Sequence, residues 1–185
     1  MFFQVLLAVV VGKLKKYRIG QALLNKYFLP FYVADLIYII YQINIFCGNY
    51  VFIPYGPYLK NLTLVTLLIP IYIYKLYLPA LVGSGCIAAG SLLNKLVIFA
   101  NDGKMPVYAS VSRLTGYFSE AAFEKVDSTH VIGSADTKLK VLSDFIDLGY
   151  SVISIGDILI HLFVFVIFYY GIKAVNNQLD GGSQS

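Results

Sequence analysis

The stretch "GSGCIAAGSLLNKLVIFANDGKMPV", Gly83 to Val107, decides the fold. Up to Ala100 it holds a single charge, Lys95. Together with the apolar residues before it, the run reaches the roughly 20 residues a helix needs to cross a bilayer. It then ends abruptly on Asn101-Asp102-Gly103. Asp tolerates the left-handed backbone region and Gly enters it at no steric cost, so this dipeptide marks a turn. Pro106 disfavours a helical Met105. Asn94 lies seven residues before Asn101, two turns back on the same face. These amides form a polar ridge that must find partners inside the protein.

Working outward, the same character fills the chain. Of its 185 residues 58% are hydrophobic and 13% charged, against roughly 25% charged in soluble domains. The mean hydropathy is +0.73. Water is therefore not the solvent for most of this surface, and an integral membrane protein is implied. The net charge of +4 is no sign of nucleic-acid binding, because the basic residues sit beside apolar runs. Many of the 16 Tyr fall at run ends, where amphipathic rings favour the headgroup region.

Five membrane segments are predicted. Residues 2–12 are apolar but short, either a tilted span or a half-inserted helix, and no cleavable signal peptide is visible. Residues 27–46 form the second segment. Residues 47–61, rich in Gly, Pro and Asn, read as a loop. The third segment begins at Leu62 with a kink expected at Pro70. The fourth spans residues 79–100, where Gly83, Gly85, Ala89, Gly90 and Ser91 permit close helix approach. The fifth covers residues 154–175. The expected fold is an all-α polytopic bundle with an extracytoplasmic cap, residues 101–153. It forms a single membrane domain, residues 1–175, with a frayed polar tail at 176–185. Lys13, Lys15, Lys16, Arg18, Lys26, Lys75 and Lys173 face the cytoplasm on the positive-inside rule, and so does the C-terminus.

Several residue groups are candidates for chemistry. Asp157 and His161 are spaced i, i+4 near the start of the fifth segment, suited to a local hydrogen bond or a functional pair. Residues 141–148 read as an amphipathic piece on the membrane surface that would carry Asp144 toward Asp157. Two carboxylates so placed share a proton and activate water, while as separate residues each is a helix cap. Asn101, His130, Thr137 and His161 are candidate ligand contacts at the outer mouth. Asp127, His130 and Asp136 offer metal-binding atoms, but their spacing matches no zinc motif. Asp35 and Lys95 are intramembrane charges; Asp35 needs a buried donor, and Lys95 snorkels. Cys47 and Cys86 are expected near opposite faces as free thiols.

The run "LLNKLVIFANDGKMPV", then "THVIGSADTKL", "VLSDFIDL" and "SVISIGDILI", resembles a family of small bacterial multi-pass membrane proteins of unknown function. There a span ends in Asn-Gly-Gly-x-Met-Pro-Val, followed by a His, a Thr-x-Leu, a Leu-Gly-Asp and a Ser-Ile-Gly-Asp. Asn101, Gly103, Met105, Pro106, His130, Thr137, Leu139, Asp144, Ser154, Gly156 and Asp157 match, while Asp102 and Ser143 stand where the pattern has Gly. The resemblance implies a fold and no activity. A fainter one, through "LSDFIDLGYSVISIGDILIHLFVF", is to lipoprotein signal peptidases, and it implies catalytic roles for Asp144 and Asp157. The upstream Gly-Asn-x-x-Asp-Arg of those enzymes has no counterpart here.

Three functional expectations follow. The first is a non-catalytic accessory subunit of a larger complex in the bacterial plasma membrane, partnered by lipids and other membrane subunits. The second is a membrane-interface aspartyl hydrolase using Asp144 and Asp157. The third is a small-ligand or lipid-headgroup binder at the outer face. The sequence names no cofactor.

Overall fold

The computed structural model describes residues 1–120, 123 and 129–182. Among the described residues, four helical stretches are long and apolar enough to cross a membrane: Lys26–Phe46, Tyr50–Ile73, Tyr77–Ala100 and Ile155–Asp180. The all-α, polytopic expectation therefore holds. The helices are α1 (Phe2–Leu14), α2 (Ile19–Leu23), α3 (Leu29–Phe46), α4 (Gly56–Thr66), α5 (Leu68–Ile73), α6 (Tyr77–Ala100), α7 (Val111–Leu114) and α8 (Ile155–Gly182). Helix α1 has 13 residues and rises about 20 Å, against a hydrocarbon core of about 30 Å.

The loop expected at residues 47–61 shrinks to a few residues. A 3-10 turn occupies Tyr50–Tyr55, and α4 follows at once. The Asn49 side chain accepts from the Val51 amide and caps that turn. Pro57 falls in the first turn of α4, where its missing N–H costs little. At Gly56 the Tyr41 hydroxyl lies 2.6 Å from where a Cβ would stand, so a larger residue would collide there. The Gly and Pro that read as loop punctuation are thus helix-start and contact residues. The expected break at Pro70 is present. Proline has no N–H for the Thr66 carbonyl, and the helix divides there into α4 and α5.

The chain forms two compact units. The first comprises residues 1–37 and 59–87 and the chain from His161. Its core is aromatic: the Phe28 and Phe31 rings lie 4.8 and 4.7 Å from that of Phe168, among buried Leu67, Val164, Ile167 and Ile172. The last turns of α8 belong to this unit and are not frayed. Buried Asn176 donates to the Ile172 carbonyl and accepts from the Arg18 amide at 2.7 Å, and the helix continues to Gly182.

The second unit comprises residues 38–58 and 88–160. Here α6 and α8 meet backbone to backbone: a Cβ on Gly90 would collide with the Gly156 carbonyl. The segment expected as a loop, residues 101–153, holds four short strands among its described residues. β1 (Met105–Val107) pairs in parallel with β2 (His130–Ile132), Met105 opposite His130. β3 (Ile146–Asp147) pairs antiparallel with β4 (Val152–Ile153). A parallel bridge from Val107 to Asp144 adds a third extended segment beside β1. The amphipathic piece expected at residues 141–148 is not a continuous helix. It is one 3-10 turn, Lys140–Leu142, after which Ser143 and Asp144 are buried. The Asp144 amide donates to the Pro106 carbonyl, and its carbonyl accepts from the Tyr108 amide. Those backbone bonds hold the chain extended.

The glycines of α6 separate close approach from spare space. Gly90→Val forces α6 away from Gly156, and overpacking of this kind costs roughly 1–3 kcal/mol. Gly85 has nothing within 4 Å of a built Cβ. In thermal unfolding in detergent, Gly90→Val is expected to lower Tm by several degrees and Gly85→Ala to leave it level or raise it. Equal Tm values for wild type and Gly90→Val contradict the contact.

Candidate functional site

Asn101, the residue that ends α6, is a backbone clip. Asp102 and Gly103 follow with φ of 54° and 80°, the left-handed turn expected of that dipeptide, and the Gly103 amide returns to the Ile98 carbonyl at 2.9 Å. This frees the Asn101 side chain. Its Nδ2 donates to the Val97 carbonyl at 2.9 Å and the Lys138 carbonyl at 3.0 Å. Its Oδ1 accepts from the Lys138 amide at 2.9 Å. One side chain thus imitates a strand partner and fastens residue 138 to the end of α6. Thr137 stands beside it, its hydroxyl accepting from the Ser134 amide at 3.0 Å.

The other end of the ridge does related work. The Asp157 amide donates to the Ser154 hydroxyl at 2.9 Å, and the Ser154 amide donates to Asp157 Oδ2 at 3.3 Å. This is a reciprocal capping box at the start of α8. Asn94 joins it from α6: Nδ2 donates to Asp157 Oδ1 at 3.3 Å, and Oδ1 accepts from the Ser154 hydroxyl at 2.9 Å. A Cβ on Gly156 would collide with the Asn94 side chain. In Ser-Ile-Gly-Asp, then, Ser and Asp cap the helix and Gly admits its neighbour. His161 lies one turn further along α8.

Asp144 has different partners. It is 5% exposed, its main chain is fixed beside β1, and its Oδ2 lies 3.7 Å from His130 Nε2. The other ring nitrogen, Nδ1, lies 2.9 Å from the Thr129 hydroxyl, and the ring stands 6.3 Å from that of Phe123. A buried carboxylate facing one ring nitrogen orients an imidazole. Half-buried His130 is thereby equipped to hold an anionic group or to move a proton. Of the two aspartates that the sequence groups as a dyad, Asp157 bonds Asn94 and Ser154, and Asp144 lies beside β1 and faces His130. Of the Asp127, His130 and Asp136 group, Asp127 lies outside the described residues. Asp136 is exposed in the turn, its amide on the Ser134 hydroxyl.

Asp147 was not singled out by sequence, yet it organises its surroundings more than any other carboxylate here. It accepts from the Ser110 amide at 2.6 Å, the Ser112 amide at 2.9 Å, the Ser112 hydroxyl at 2.5 Å and the Gly149 amide at 2.8 Å. The Asp-x-Gly spacing was the available signal, since Asp commonly bonds the amide two residues on. Tyr117 was also missed. Its hydroxyl donates to Gln42 Oε1 at 2.9 Å, and Gln42 Nε2 donates to the Tyr38 hydroxyl at 2.9 Å, which ties residue 117 to α3. Cys47 and Cys86 are free thiols.

Four apolar helices and a lobe of short strands sewn to two of their ends define a polytopic membrane protein. The chain belongs to DUF5317, a family of unknown function whose profile matches residues 23–169. That match begins after the first apolar segment and takes in the second, third and fourth and most of the fifth. No curated protein and no solved structure matches.

Asp147 yields a pH prediction. Burial pulls its carboxyl upward, but hydrogen bonds from the Ser112 hydroxyl and amide and from the Gly149 and Ser110 amides outweigh it, and the pKa falls to about 2. A depressed carboxylate contributes stability that is complete above its unfolded value, about 4, and is lost as pH falls toward 2. Amide hydrogen exchange at residues 110–115 is expected to speed up across that window in wild type, and Asp147→Asn is expected to show faster exchange already at pH 7. Unchanged protection in Asp147→Asn refutes the anchoring role.

Proposed function

We propose that this protein is a non-catalytic accessory subunit of a larger complex in the bacterial plasma membrane, and that α6 supplies the helix face its partner packs on. The observation that carries this reading is the division of small residues around α6. Gly83 and Gly90 face their own protein, Gly83 against the Phe163 ring and Gly90 against Gly156. Ser84, Gly85, Ala88 and Ala89 are exposed. In lipid, helices associate through close van der Waals packing at small residues, and an exposed small-residue strip is how such a face is built. Only 17% of the most apolar stretch of α6 is buried, against 39% in α8.

The basic residues that flank the inner ends of the segments support a cytoplasmic C-terminus and an extracytoplasmic lobe. Asn94, Asn101, Thr137, Ser154 and Asp157 are spent on internal bonds, which favours a scaffold. An aspartyl hydrolase draws less support, since Asp157 serves as a helix cap. A second reading, a small-ligand or headgroup binder at the outer face, is favoured by one observation: half-buried His130 oriented by buried Asp144.

Leucines at Gly85 and Ala89 test the proposal. The double variant is expected to keep the wild-type Tm in mild detergent yet lose the higher-mass species on native gels and the matching cross-links. A wild-type chain that migrates alone under all mild conditions, or a double variant that keeps its partners, refutes the accessory role.

A further inference from the structure

A groove within the first unit carries an inference independent of the accessory-subunit reading. It lies between α3 and α4, holds about 350 Å³, and is walled by α3 from Leu29 to Ile37 and by Leu62 and Thr66 of α4. That volume falls at the small end of ligand pockets, roughly 300–1,000 Å³. Thr66 is the only polar lining residue, and its hydroxyl is turned onto the Thr63 carbonyl at 2.6 Å. The walls are otherwise hydrocarbon, which suits an alkyl chain.

Length narrows the occupant. From Leu29 to Ile37 the helix rises about 12 Å, while one leaflet of hydrocarbon is about 15 Å deep. The groove thus runs the depth of a single leaflet. A partner helix crossing the bilayer would need a furrow twice as long.

Charge narrows it further. The groove opens at the start of α3, just after the 3-10 turn Lys26–Phe28. There Lys26 Nζ lies 5.2 Å from the Tyr27 ring, and Tyr27 meets Tyr74 edge-on at 5.9 Å. Exposed Lys75 follows Tyr74 directly. Two cations, Lys26 and Lys75, therefore stand next in sequence to the two rings of an aromatic pair at the headgroup end, and none of the lining residues is acidic; Asp35, in the same stretch of α3, is buried and does not line the groove. We propose that this groove holds one acyl chain of an anionic phospholipid whose phosphate is met by Lys26 and Lys75.

The experiment uses the full chain, delipidated in detergent and titrated by native mass spectrometry. The probes are phosphatidylglycerol and phosphatidylcholine with identical chains. Wild type is expected to take up one saturable phosphatidylglycerol, preferred over phosphatidylcholine by about fivefold per lysine, the factor for roughly 1 kcal/mol each. Ala34→Phe fills the groove and is expected to remove saturable binding of both lipids. Thr66→Phe fills it from the other wall and serves if the first variant loses helicity by circular dichroism. Lys26→Gln with Lys75→Gln is expected to keep chain binding and lose the headgroup preference. Non-saturating, headgroup-blind uptake by wild type overturns the proposal, as does undiminished binding in both folded filler variants. Loss of a co-purifying protein from the filler variants, with no lipid bound by wild type, overturns it too.

Discussion

The place where α6 and α8 touch sets the terms for everything in the second unit. Helix α8 begins at the edge of the apolar region, and its first amides have no carbonyls to bond. Outside water each such group costs several kcal/mol if left alone. Ser154 and Asp157 satisfy part of this debt locally, and Asn94 reaches across from α6 to satisfy more. That reach works only at backbone contact distance, which Gly90 and Gly156 permit. The glycines and the amide are therefore one device. A side chain on either glycine would move Asn94 out of range, and loss of Asn94 would leave the capping box of Ser154 and Asp157 without its tie to α6.

Pinning the start of α8 to the body of α6 also fixes both ends of the segment between them. Asn101 leaves α6 two turns beyond Asn94, and residue 153 enters α8 beside it. A chain with anchored ends loses less entropy on ordering than a free one, and here the saving supports strands of two or three residues that would not persist alone. Side chains that mimic backbone tie the segments around them. Asn101 does so for Lys138, and Asp147 for Ser110, Ser112 and Gly149. Beside these ties, the described lobe also brings His130 within 3.7 Å of the buried Asp144 carboxylate.

How much of this was legible follows from the range of each cause. Hydropathy acts through length and composition, so the membrane segments could be read directly. The Asp102-Gly103 turn, the break at Pro70 and the contact glycine at Gly90 are local or single-residue effects and were legible too. Residues 50–58 misled because Gly56, Pro54 and Pro57 break helices in general, whereas here the prolines fall in a 3-10 turn and in the first turn of α4, and Gly56 is needed for the contact with Tyr41. The pairing of β1 with β2 joins segments of three residues across more than twenty positions, too short for any periodicity to show. Asp144 and Asp157 looked alike because both sit ahead of apolar runs. Which one caps a helix and which meets an imidazole depends on Asn94 and His130, residues distant in sequence from one or both.

The two kinds of glycine on α6 connect this geometry to the proposed role. A glycine inside a helix costs about 1 kcal/mol relative to alanine. At Gly90 that cost is offset by the approach of α8. At Gly85 nothing within the protein offsets it, and the neighbouring Ser84, Ala88 and Ala89 repeat the pattern on the open side. Leucine there would bury more surface against lipid chains and form a better helix. Under the proposed role, a partner backbone packed there as tightly as α8 packs against Gly90 would offset that cost.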